Sequence, residues 1–215
     1  MDKSPGILAI WNDCKPGGEV EYGAWYRGEH LRERVGLPGF VCGRRYVSID
    51  GSTPRYFTFY ETETVDVLSS PVYLERGASP TPMTTRIMQT VFQNMTRTVC
   101  RRQKKFGEMS GAVVIAARAT AGLAAQIDQA WPSLCQAPHL LRAEHWVSAE
   151  PAGLAPSAEE QIRGRDNKIA GCFVAEFVDV NEATSARASI ATALPGLDLG
   201  AYRLICTLEH SEIAR

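Results

Sequence analysis

The sequence predicts an α+β protein built of two successive βαββαβ halves, and three observations predict it. Short β-rich runs and helix-period segments follow one another in the order βαββαβ twice along the 215 residues. One stretch of each half aligns on the other without a gap. The strand residues are apolar on both alternating faces, so a sheet with helices on one side still needs a cover on the other.

The first half opens with Gly6–Trp11, an apolar β-rich run closed by Asn12-Asp13 and Pro16-Gly17-Gly18, which reads as strand and turn. From Glu19 to Val35 the period changes. Val20, Ala24, Gly28, Leu31 and Val35 recur at helical steps and predict one buried face. Glu19 and Glu21 favour the helix start, and Gly36 with Pro38 stops it. Phe40–Ile49 and Arg55–Glu61 form an antiparallel pair across the turn Asp50–Pro54. A helix over Val65–Glu75, a Pro/Ser/Thr loop over Gly77–Met83 and a strand over Thr96–Lys104 complete the half.

The second half repeats the order: strands at Gly111–Ala117, His139–Ser148, Gly171–Phe177 and Ala201–Glu209, and helices at Leu123–Leu134 and Glu182–Ala193. Each half has the ferredoxin-like pattern. The predicted units are 1–106 and 107–215, the second interrupted by a polar insertion over 150–168 that reads as an excursion or mobile flap. Pro38, Tyr46, Val47 and Ser48 match Pro138, Trp146, Val147 and Ser148 at a single offset, and with the shared element order this predicts a duplication. Two such sheets packed face to face would cover each other within one chain. A further homodimer is compatible with that packing.

A formal net charge of -1 gives no cationic surplus for a general nucleic-acid or anionic-membrane binder. No apolar run approaches a membrane span, and the first residues lack the apolar core of a signal peptide. The expectation is a cytoplasmic protein that binds neither nucleic acid nor membrane. Six cysteines, none in a Cys-x-x-Cys pair, read as free thiols packed as small hydrophobes, with no metal site.

Chemistry is expected in the first helix. With the apolar stripe centred on Ala24, Arg27, His30 and Arg34 fall along one of its borders and would line the gap between helix and sheet. An imidazole between two guanidinium groups stays neutral near pH 7. That suits His30 as acid/base with Tyr26 beside it, and Arg27 and Arg34 as holders of an anion, with Trp25 and Tyr46 as further binding residues. A basic row at this spacing is equally the ordinary pattern of a solvated or salt-bridged helix border. The second half has no such row: Leu123–Leu134 contains no His, Arg or Tyr, so that copy reads as scaffold. Arg86 and Arg97 flank Thr90–Met95 and could close over a ligand, though solvation is their ordinary reading. No nucleotide, zinc-protease or α/β-hydrolase motif occurs.

Trp25-Tyr26, Glu29-His30-Leu31, Glu33-Arg34, Leu37-Pro38-Gly39-Phe40 and Arg44-Arg45-Tyr46 together resemble the helix-to-strand signature of EthD-like proteins, of the dimeric α+β barrel superfamily. The resemblance covers about Ile7–Glu75 well and the second half only through element order and Pro138–Ser148. It implies an intramolecular dimeric α+β barrel with a small-molecule cleft per half, and it matches His30 to the family's helix histidine; the second half departs from it in lacking that histidine and in carrying the insertion. The superfamily includes cofactor-independent monooxygenases, polyketide cyclases, lactone isomerases and haem-binding oxygenases and peroxidases. Three readings follow. The first is a cofactor-independent isomerase, cyclase or monooxygenase acting on an aromatic or polyketide-like acid. The second is a haem protein with His30 as axial ligand. The third is a non-catalytic binding or accessory protein.

Overall fold

The structure is a computed structural model that describes residues 4–150 and 156–213. Its strands are β1 (Gly6–Cys14), β2 (Phe40–Ser48), β3 (Tyr56–Thr62), β4 (Phe92–Phe106), β5 (Val113–Ala119), β6 (Arg142–Ser148), β7 (Gly171–Phe177) and β8 (Asp198–Glu209). They close into one antiparallel barrel in the order β1-β3-β2-β8-β5-β7-β6-β4. Within it the first four strands run β4-β1-β3-β2, and the last four run β8-β5-β7-β6, which is the same order of counterparts. The halves meet at the β2–β8 and β4–β6 ladders, so neither sheet keeps a free edge or a bare face.

The alternation of the strands separates three apolar layers. Ile7, Ala9 and Trp11 of β1, Phe57 and Phe59 of β3, Tyr46 of β2, Trp146 of β6 and Tyr202 of β8 point into the barrel. Their rings stack across it, Trp11 on Phe57 at 4.6 Å and Phe59 against Trp146 at 5.1 Å. An eight-stranded barrel is just wide enough for such side chains to fill, so the lumen is packed. The alternate residues, including Leu8, Ile10, Tyr56 and Tyr60, face the helices of the first half. Ile115, Ala117, Phe173, Ala175 and Phe177 face those of the second, where α5 (Ala124–Leu134) and α7 (Val180–Ala193) complete an alanine-rich core.

One end of the barrel is closed by charge. Glu144 accepts from Arg142 Nε at 2.8 Å and Trp146 Nε1 at 2.7 Å and pairs with Arg102 at 3.3 Å. Glu176 accepts from the Gly111 backbone N–H at 2.8 Å and pairs with Arg44 at 3.4 Å. Burial pushes the Glu176 carboxyl up from its ordinary value. Near this end the chain turns sharply through Gly107, whose φ of +71° is left-handed and whose added Cβ would overlap the Leu141 carbonyl. Gly107→Ala is expected to cost at least about 1–3 kcal/mol, read as a lower denaturation midpoint with an unchanged slope.

The first helix departs from expectation. It is α1 (Glu19–Trp25), a π-helical turn (Tyr26–His30) and α2 (Leu31–Val35) in continuous succession. Tyr22, Trp25, Tyr26 and His30 are buried ahead of Leu31 and Val35, while Val20 is 84% exposed and Ala24, Gly28 and Arg27 are exposed. The π turn inserts one extra residue between Tyr26 and Leu31 and so shifts the phase by about 100°. The stripe centred on Ala24 was therefore on the wrong side before the turn and correct after it.

The Gly77–Met83 loop is also corrected. A 3-10 turn (Val65–Ser69) leads into α3 (Pro71–Ala78), and α4 (Pro82–Thr90) follows within four residues. Ser70 and Thr81 cap these helices by accepting from the Tyr73 and Thr84 N–H groups, each ahead of a proline. Ser-Pro and Thr-Pro are helix-start pairs. In the insertion, 151–155 lie outside the described residues. Its described part holds α6 (Ala158–Arg163), which packs on α3 and α4 of the first half.

Candidate functional site

Between the sheet of the first half, the π turn, α3, α4 and α6 lies a cavity of about 410 Å³, within the range of small-molecule sites. Its apolar wall includes Leu8, Ile10, Met88, Phe92 and Val99, with the rings of Tyr26, Tyr60 and Tyr73. His30 and Arg34 line it from the helix and Arg97 from β4. Arg163 and Asp166 line it from the insertion.

His30 is 6% exposed. Trp25 stacks on its ring at 4.2 Å and Tyr26 meets it edge-on at 5.2 Å. Trp25 itself stands behind the wall, where its Nε1 donates to Thr84 Oγ1 at 3.1 Å and Thr84 donates to Glu29. His30 Nδ1 is buried without a hydrogen-bond partner. Burial holds the imidazole well below its ordinary pKa, and the Arg34, Arg163, Arg45 and Arg76 guanidinium groups hold it lower still. The ring is neutral near pH 7, as the helix pattern predicted, but the cations responsible come from four elements rather than from Arg27.

The expected anion holders fare differently. Arg34 is buried and ion-paired to Glu159 of α6. Arg27 is on the outer surface and Tyr46 is inside the barrel; neither lines the cavity. Tyr46 packs on Phe57 and Phe59 as the counterpart of Trp146. Arg45 points away from Arg44, as strand alternation requires, and reaches the helix layer. There its guanidinium sits 4.2 Å from the Tyr26 ring and 4.7 Å from those of Tyr22 and Tyr56, a cation–π cage that steadies Tyr26.

Sequence reasoning missed Tyr60, Tyr73 and the insertion's charges. Tyr60 OH is buried without a partner, and burial pushes it well above its ordinary pKa. Arg163 is held by Asp166 through two hydrogen bonds, at 3.0 and 2.7 Å. Arg97, expected in solvent, is half-buried and lines the cavity. Arg86 is exposed and pairs with Glu21.

A haem bound through His30 does not fit these residues. A metal-ligating histidine normally donates its other ring N–H to a carboxylate or carbonyl, and His30 Nδ1 has none. Among the described residues, no cluster of His, Cys, Asp and Glu could hold a metal ion, and no helix is long and apolar enough to cross a membrane. All six cysteines are free.

No protein-family model and no curated protein matches the chain. Solved structures do. An anthrone oxidase-like protein superposes with a TM-score of 0.60 at 10% identity, covering 98% of this chain and 95% of its own. A proposed monooxygenase from Fusobacterium nucleatum subsp. nucleatum gives 0.58 at 9%, covering 97% and 96%. A proposed chlorite dismutase gives 0.53 at 9%, covering 94% and 95%. The fold of this chain is a closed eight-stranded antiparallel α+β barrel. At such identities the likeness extends to the fold alone, and the narrower EthD-like resemblance has no family match behind it.

Proposed function

We propose that the protein binds a small organic molecule in the first-half cavity and that His30 exchanges a proton with it. The observation that carries this reading is a buried, neutral imidazole with an unpartnered nitrogen on the wall of a ligand-sized cavity. Four guanidinium groups oppose a positive charge on that ring. A proton accepted by His30 is therefore returned readily, which suits isomerisation, cyclisation or cofactor-free oxygenation of an aromatic or polyketide-like acid. Tyr26 and Tyr60 supply ring faces, and Tyr60 a hydroxyl.

The shared strand order of the two halves and the residues repeated at one offset support reading the chain as two fused ferredoxin-like repeats. In that reading only the first repeat keeps a site. The counterpart layer of the second is filled by Ile127, Leu134, Phe173, Phe177 and Ile190.

An anthrone is the first substrate to try, given the anthrone oxidase-like neighbour. Turnover is expected to fall by about 10²–10⁴-fold in His30→Gln, with the thermal midpoint above pH 7 little changed. Equal turnover by variant and parent would remove His30 from the chemistry. A non-catalytic binding role is the second reading. It is favoured by the ion pairs that already neutralise Arg34 and Arg163, and stabilisation by the anthrone without product would select it.

A further inference from the structure

Most charges on the cavity wall are matched to one another. Arg34 pairs with Glu159, Arg163 with Asp166, and Lys168 with Glu150 at 3.0 Å. Arg97, on the barrel, and the exposed Arg165 are the cavity arginines without an ion pair among the described residues. The Arg97 guanidinium donates one hydrogen bond, to Tyr73 OH at 2.6 Å, and has no carboxylate within ion-pair distance among the described residues. The stretch that joins cavity residues Glu150 and Pro156, Pro-Ala-Gly-Leu-Ala, carries no acid in its sequence. Glu150 is engaged further by the Val99 backbone N–H at 2.7 Å, and Asp166 accepts two hydrogen bonds from Arg163. Both acids are committed elsewhere.

A guanidinium carries five N–H donors in a planar fork. One is used here, by a phenol that fixes the direction of the group. Half-buried, and with Asp166 and Glu150 near it but beyond ion-pair distance, such a group has donors left over for an anion in the cavity. The carboxylate, with two oxygens in one plane, is the anion the fork fits best. The remaining wall, Leu8, Ile10, Met88 and Phe92 with the tyrosine rings, suits a flat apolar body.

We propose that Arg97, oriented by Tyr73, is the carboxylate subsite of this cavity, so that the ligand is an aromatic carboxylic acid held by its carboxylate at β4. The inference rests on the small-molecule reading of the cavity and adds to it the charge of the ligand and the residue that selects it. Arg97 is on this account a specificity-determining residue, separate from the proton exchange at His30.

The test uses two probes of one shape, 2-naphthoate and 2-naphthamide, with the full chain and isothermal calorimetry at low salt. The acid is expected to bind at least about tenfold more tightly than the amide. Arg97→Gln should erase that preference while amide affinity stays the same. Arg97→Lys, which keeps the charge and loses the fork, should retain part of it. Tyr73→Phe should weaken the acid several-fold and leave the amide alone. His30→Gln should keep the acid preference, since it removes no charge. Equal affinity of acid and amide for the parent protein would overturn the subsite while leaving the cavity reading standing. So would a preference that persists undiminished in both Arg97 variants. Binding of neither probe would overturn the cavity reading and the subsite with it.

Discussion

Replacing Glu144 with alanine is expected to lower the unfolding free energy by about 1–3 kcal/mol, one of the larger single losses anticipated outside the apolar core. Glu144 is 4% exposed, and three groups depend on it: the Arg142 and Arg102 guanidinium groups and the indole N–H of Trp146. Truncation leaves the buried Trp146 N–H without its acceptor and strips each guanidinium of one acid, so that Arg102 keeps Glu61 at 2.9 Å and Arg142 keeps Glu176 at 3.8 Å. Glu61 is committed to Arg102 at 2.9 Å and Glu176 to Arg44 and Gly111. The penalty is that of donors left short of an acceptor, so removing both partners should cost less than removing one. Arg142→Met combined with Glu144→Leu is expected to recover a large part of the loss in chemical denaturation. A double variant as unstable as the sum of its singles would show that the two residues act independently.

The second large effect is a loss of stability in weak acid. His30 has its folded pKa well below the ordinary value because it is buried among guanidinium groups. In the unfolded chain it titrates near about 6.5. Below that pH the unfolded state takes up a proton that the native state refuses, so unfolding is favoured as pH falls. The stabilising share is complete above the unfolded value and is lost progressively on the way down toward the folded one. His145 acts in the same direction: burial lowers it, and Asp128 at 3.3 Å offsets only part of the shift. The thermal midpoint should therefore drop between about pH 7.5 and about pH 5.5, before most carboxylates titrate. His30→Gln should flatten that drop and His145→Gln should flatten it less. Parallel profiles for His30→Gln and the parent protein would contradict the burial of the imidazole.

The errors of sequence reading at this site share one physical origin. A helical wheel assumes an unbroken period, and the π turn at Tyr26–His30 breaks it. Tyr26 and His30 therefore reach the cavity for a reason the wheel did not contain, and Arg27 leaves it. Arg34, placed after the turn, was positioned correctly, but its partner Glu159 lies 125 residues away in the insertion. Spacing within a helix carries no information about such a neighbour. The two caps before Pro71 and Pro82 were legible in Ser70 and Thr81 and went unread.

Local periodicity and the matching Pro-to-Ser stretch by themselves determined the α+β class, the order of the eight strands and the residues that alternate between barrel and helix layer, but not α4 or α6. These follow from φ/ψ geometry and from the burial of apolar faces, which act over a few residues. Only the tertiary structure decided that the lumen is filled, that the cavity lies outside it, and that Tyr60, Tyr73, Arg97 and the α6 charges meet around His30. Ion pairing and desolvation depend on which distant segments pack together. That is set by closure of the barrel and docking of the insertion, so the neutrality of His30 and the unpaired fork of Arg97 exist only in the folded chain.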